Sequence, residues 1–120
     1  MYTLAIIEES MLDKKELVAL SLYLKNQKTE SVADDEFPIW HVNIYEVPDA
    51  VLFDMLPILE DQVKTTWYIH AFNENCLIVI LYGKSFKISR VRDISWDAMI
   101  AYGESVDVER YYLENIPLNV

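Results

Sequence analysis

The stretch that decides the fold is Thr66-Trp67-Tyr68-Ile69-His70-Ala71-Phe72, Asn73-Glu74-Asn75, Cys76-Leu77-Ile78-Val79-Ile80-Leu81-Tyr82, Gly83-Lys84, Ser85-Phe86-Lys87-Ile88-Ser89. Residues 66–72 and 76–82 are rich in aromatic and β-branched side chains, which suit a pleated, half-buried surface. The Asn-Glu-Asn step between them is a turn signal, so the two runs read as a hairpin. Gly83-Lys84 gives a second turn into a third strand over 85–89, completing a meander. A membrane-crossing helix needs about 20 consecutive apolar residues, and the apolar run from Cys76 to Tyr82 is far too short for one.

The hairpin register governs which side chains share a face. With a three-residue loop at 73–75, Phe72 faces Cys76 and His70 lies diagonally on the same face as Cys76. With a two-residue loop at 74–75, Asn73 faces Cys76 and His70 points to the opposite face.

Upstream, Tyr2, Leu4 and Ile6 alternate with Thr3 and Ala5 and predict a strand over 2–7. Ser10 and Asp13 resemble a helix start, and Leu17, Leu20 and Leu24, widened by Val18 and Leu22, form a stripe that predicts a helix over roughly 11–27. Gln27 to Glu36 is polar and acidic and reads as a surface loop. Trp40, Val42 and Ile44 alternate with His41, Asn43 and Tyr45, predicting a strand over 39–47. Pro48-Asp49 then opens a helix with Leu52, Met55, Leu56, Leu59 and Val63 on one stripe, which Pro57 is expected to kink or split.

Downstream, Asp93 or Ser95 caps a helix whose inner face holds Trp96, Met99 and Ile100 and whose end fits Gly103. A short helix near 108–114 and an extended tail follow. The expected order is β-α-β-α-β-β-β-α in a single acidic α+β domain spanning 1–120, with a mixed or mainly antiparallel sheet and helices packed on one face.

Charge is the most distinctive feature. The net charge of 120 residues is −10, which disfavours direct binding to nucleic-acid phosphates. Residues 29–61 hold nine acidic residues and no Lys or Arg, whereas residues 62–92 hold five basic residues against the single Glu74. The opening residues Met1–Glu9 have no basic lead and no small-residue cleavage site, so they do not read as a secretion signal. The only cysteine, Cys76, excludes an internal disulfide. Together these features favour the cytoplasm.

No catalytic signature is present. The two glycines, Gly83 and Gly103, cannot build a phosphate loop. Cys76, His70 and His41 lack the paired short spacing of a zinc site, and Asp34-Asp35-Glu36 lacks the alternation and turn glycine of a calcium loop. No cofactor or metal is expected.

His41, Tyr45, His70 and Cys76 are the side chains to line a cleft between sheet and helices, against the plainer reading of core or surface residues. Asp34, Asp35 and Glu36, the basic strip Lys84, Lys87, Arg90 and Arg92, and Tyr111-Tyr112 are the candidates for contact with a protein partner. The basic strip also reads as ordinary edge-strand charge that discourages aggregation.

The chain carries 3 Trp, 8 Tyr and 4 Phe, and Tyr and Trp favour interfaces because they join apolar area to a polar handle. The expectation is a non-enzymatic protein-interaction or regulatory domain. The alternative is a small-molecule-binding domain or minor enzyme. The complementary blocks 29–61 and 62–92 also allow a homodimer.

Overall fold

Strand β1 (Tyr2–Ile7) organises the sheet, pairing antiparallel with β3 (Ile39–Val47) on one side and β4 (Ile69–Phe72) on the other. The computed structural model describes all residues, 1–120. Beyond β3 lies β2 (Leu24–Ser31), and beyond β4 come β5 (Leu77–Leu81) and β6 (Lys84–Ile88), giving the order β2-β3-β1-β4-β5-β6. Every pairing is antiparallel. The result is a single compact α+β domain. The expected meander is present, and Asn73 donates its N–H to the Cys76 carbonyl at 3.2 Å, so the two-residue register holds.

One face of the sheet presents Tyr2, Leu4, Ile6, Tyr45, Val47, Ile69, Ile78 and Ile80 to helix α1 (Asp49–Gln62), which buries Leu52, Met55 and Leu59 there. α1 runs unbroken through Pro57. Pro57 and Phe53 are both exposed, so the Phe53 carbonyl that loses its donor faces water and the helix keeps its course.

The opposite face presents Leu77, Val79, Leu81 and Ile88 to helices α2 (Trp96–Ser105) and α3 (Arg110–Glu114), through Trp96, Met99, Ile100 and Leu113. Helices therefore cover both faces rather than one. β5 is buried on both sides, which its unbroken apolar run allowed.

The expected helix over 11–27 is replaced by a 3-10 helix at Lys14–Tyr23 followed by strand β2. Leu17 and Leu20 are buried three residues apart, the repeat of a 3-10 turn, whereas Val18 and Leu22 are 72% and 87% exposed. Asp13, not Ser10, caps this segment, accepting the Lys15 N–H at 2.9 Å. The sequence assigns the start of β2 to that helix and the rest to a polar loop, because all eight of its residues are exposed and it buries no apolar face. Its pairing with β3 is reinforced by Gln27, which donates to Asn43 at 3.1 Å, while Asn43 donates onward to Tyr45 and Glu8.

Gly103 lies inside α2 rather than at its end. A side-chain carbon there would stand 2.7 Å from Leu113 Cδ1, so the glycine lets α3 pack directly against α2.

Candidate functional site

α2 and α3 cover the β5–β6 half of their face. Toward β1, β3 and β2 the same face carries a small cluster of Ala5, Val42 and Ile44, with Ile7 against it. A groove of about 500 Å³ opens here, a size that accepts a small ligand or a few side chains.

Its floor follows from strand register. Ile7 pairs with Val42 and Ala5 with His70, while Lys28 and Glu30 sit opposite Val42 and Trp40. All seven line the groove. One wall is the turn between β2 and β3, with Asp35, Glu36 and Phe37. The other is the α2–α3 connection with Asp107, Val108 and Glu109, then Tyr112 and the tail at Pro117, Asn119 and Val120.

The aromatic side chains converge on this place. Trp40 and Trp67 meet edge to face with ring centres 5.0 Å apart, and Phe37 tilts against Trp67 at 6.2 Å. The Asp35 carboxylate accepts the Phe37 main-chain N–H at 2.9 Å and the Trp40 indole N–H at 3.3 Å, holding the turn backbone at Phe37 and the Trp40 ring. Lys64 stands 4.8 Å above the Phe37 ring, an internal cation–π contact at the edge of the cluster. Tyr68 and Tyr112 complete the lining.

The rim is acidic. Glu30, Asp35, Glu36, Asp107 and Glu109 line it against the single ammonium of Lys28, which itself stands 3.7 Å from Glu30. A cation entering between aromatic faces under this field gains both ring-quadrupole and coulombic attraction.

His70 lies in the floor, 6% exposed, and its Nε2 has no hydrogen-bond partner. Phe72 stacks on its ring at 5.9 Å and Tyr68 tilts against it at 5.8 Å. Burial drives its pKa down to about 4, with the Pro117 main chain pulling weakly the other way. At neutral pH the ring is therefore uncharged.

No family model, curated protein or solved structure matches this chain.

The other expected cleft residues lie elsewhere. His41 is on the opposite sheet face, half exposed, with its Nδ1 2.8 Å from Glu9 Oε2. Partial burial works against ionising Glu9, but the His41 main-chain N–H and ring hold its carboxyl below the usual range. Tyr45 is buried on that face with Asn43, and burial raises its pKa. Cys76 is also there, its Sγ 3.3 Å from the Tyr2 hydroxyl, so the structure separates it from His70. No cluster of three His, Cys, Asp or Glu side chains is placed to hold a metal ion, and no helix is long and apolar enough to cross a membrane.

Of the expected partner-contact residues, Asp35, Glu36 and Tyr112 line the groove, and Asp34 sits beside them in the turn with a φ of 67°. Tyr111 is exposed and packs edge-on against Tyr112. The basic strip does not form one surface. Arg90 donates to the Asn73 carbonyl, Arg92 pairs with Glu114 at 2.8 Å, Lys84 lies over Phe86, and Lys87 is exposed on β6. Sequence reasoning missed Phe37, Trp40, Trp67, Asp107 and Glu109 as one site, because they come from three separate segments.

Proposed function

We propose that this domain is a non-enzymatic protein-interaction module that receives a basic segment of a partner protein in its aromatic groove. The carrying observation is the pairing of an aromatic lining, Phe37, Trp40, Trp67 and Tyr112, with five lining carboxylates, which outnumber the ammonium of Lys28 in the lining and that of Lys64 over the Phe37 ring. Lysine or arginine side chains complement it: their stems lie along aromatic surface while the charge remains near carboxylates. Free carboxylate or phosphate ligands would meet the same rim as repulsion. His70, neutral and buried, supplies a polar point in the floor for a donor on the inserted side chain. The site offers no nucleophile with an adjacent base, which favours binding over turnover.

The test is selection of a random peptide library displayed on phage, in parallel on the native protein and on the Trp67→Ala variant. The expected result is enrichment of Lys or Arg beside apolar residues on the native protein alone. Binding of the selected peptides should weaken as salt rises, because rim charges act through solvent. Selection of acidic or uncharged peptides, or identical selections on both proteins, overturns the reading. Retained turnover-active small molecules in native mass spectra would instead favour the small-molecule alternative.

A further inference from the structure

We propose that the cation this groove selects is arginine, and that His70 selects it by accepting a guanidinium N–H at Nε2. The inference rests on the groove receiving a basic segment, and it names the side chain that enters. His70 Nε2 is buried and has no hydrogen-bond partner, in a ring that is 6% exposed and lines the groove floor. Side chains stand roughly perpendicular to their sheet. Nε2 is at the outer end of the imidazole, so the unpaired atom faces what lies over the floor. A buried polar atom without a partner is costly, so a guest that pairs it gains more than the bond alone.

The chemistry of the guest follows from the surroundings. Carboxylates outnumber cations around the groove, so the guest carries positive charge. Lysine and arginine side chains hold donors and no acceptor. A neutral imidazole can keep its one proton on Nδ1, and a donor-only guest selects that tautomer, with Nε2 bare. Burial keeps the ring uncharged at neutral pH, drawing its pKa down to about 4. Tyr68 tilts against His70 at 5.8 Å and also lines the groove, and burial alone pushes its phenol up to about 12. The corner around His70 is therefore dry, and it disfavours a charge that depends on tightly held water.

A guanidinium meets these conditions better than an ammonium. It is planar and more weakly hydrated, so it stacks on aromatic faces and loses less on entering a dry corner. Its donors fan out in one plane, so one reaches His70 while others remain for the carboxylates above. An ammonium concentrates its charge at a point and must shed strongly held water to go as deep. The Phe37 ring is already taken, because Lys64 stands 4.8 Å above it and repels a second cation there. The incoming charge is thereby directed to Trp40 and Trp67 and to Tyr68 beside His70.

The experiment titrates short peptides, identical except for arginine, lysine or trimethyl-lysine between two leucines, into the native protein and His70→Phe. Calorimetry reads Kd, and 15N NMR reads the ring nitrogens of His70. The arginine peptide should bind the native protein tightest, and it should move the Nε2 resonance as a new hydrogen bond requires. His70→Phe keeps an aromatic ring but removes the acceptor, and should weaken the arginine peptide on the order of tenfold. Trimethyl-lysine has no N–H to donate, so its Kd should be the same for both proteins. Lysine binding as tightly as arginine, an unmoved Nε2 resonance, or an equal loss for every peptide in His70→Phe overturns the inference and leaves the basic-segment reading standing. Binding by none of the peptides overturns both. The native titrations decide the matter on their own if the variant fails to fold.

Discussion

Asp35 accepts the indole N–H of Trp40 at 3.3 Å through the same carboxylate oxygen that accepts the Phe37 N–H at 2.9 Å. One side chain thus ties the turn after β2 to the first residues of β3 and orients the Trp40 ring in the groove. Asp35→Ala leaves both donors without their partner and should cost about 1–2 kcal/mol in urea unfolding. Tryptophan emission should shift to the red as Trp40 and Trp67 meet more water. Glu36 is its exposed neighbour in the same turn, and Glu36→Ala should stay within about 0.5 kcal/mol of the native protein. Equal losses in the two variants would remove Asp35 from its positioning role.

His70 makes stability depend on pH with a definite sign. Its folded pKa is about 4, depressed from 6.5 by burial. The unfolded chain therefore binds a proton that the folded chain refuses, and stability falls as pH drops from about 6.5 to about 4, then levels off for this group. The shift corresponds to about 3 kcal/mol over that window. His70→Phe, which keeps an aromatic ring between Tyr68 and Phe72, should flatten this part of the profile. Urea unfolding of both proteins from pH 7 to pH 4 measures the difference, and parallel profiles would show that His70 does not carry it.

The meander was legible because β4, β5 and β6 are adjacent in sequence and their side chains state their burial. β5 is apolar throughout because helices press on both its faces, and Asn73 and Gly83 mark the two turns. β2 was illegible for the opposite reason. Lys25 to Ser31 is a strand by virtue of main-chain pairing with β3 alone, so no apolar period records it. The 3-10 segment before it reads as an α-helix in the sequence because Leu17 and Leu20 fit either repeat. The groove was hidden further still. Trp40 was readable as inward-facing, but its neighbours Trp67, Asp107 and Tyr112 join it only through sheet order and the α2–α3 connection. The useful signal was a mismatch: the Trp40, Val42 and Ile44 face needed cover, and α1 had already been taken by Tyr45 and Val47 on the other side.

Cys76 should resist thiol reagents in the native state. It is 8% exposed and its sulfur lies 3.3 Å from the Tyr2 hydroxyl, whose pKa burial and Cys76 push up to about 12. Labelling by an aromatic disulfide reagent should therefore require local opening of the β4–β5 turn and accelerate steeply with urea. Tyr2→Phe removes the hydroxyl while keeping the ring against Phe53, and should cost about 1 kcal/mol. Rapid native labelling would show that the thiol reaches solvent without opening.

Gly103→Ala sets two effects against each other. Alanine in a helix interior gains about 1 kcal/mol over glycine. Against this, its Cβ would lie 2.7 and 2.8 Å from the two methyl carbons of Leu113, a fully buried side chain with nowhere to retreat. Overpacking of this kind costs about 1–3 kcal/mol, so the substitution should destabilise on balance, although alanine is the better helix former. Leu113→Ala alone should cost about 2–5 kcal/mol through the cavity it leaves. In the double variant the new methyl group enters that cavity, and the combined loss should fall short of the two single losses added together. α3 also carries Tyr112 on the groove wall, so pushing it away from α2 should weaken peptide capture in Gly103→Ala more than its stability loss accounts for. Strict additivity in urea unfolding, with capture unchanged, would show that Gly103 does not set the spacing between α2 and α3.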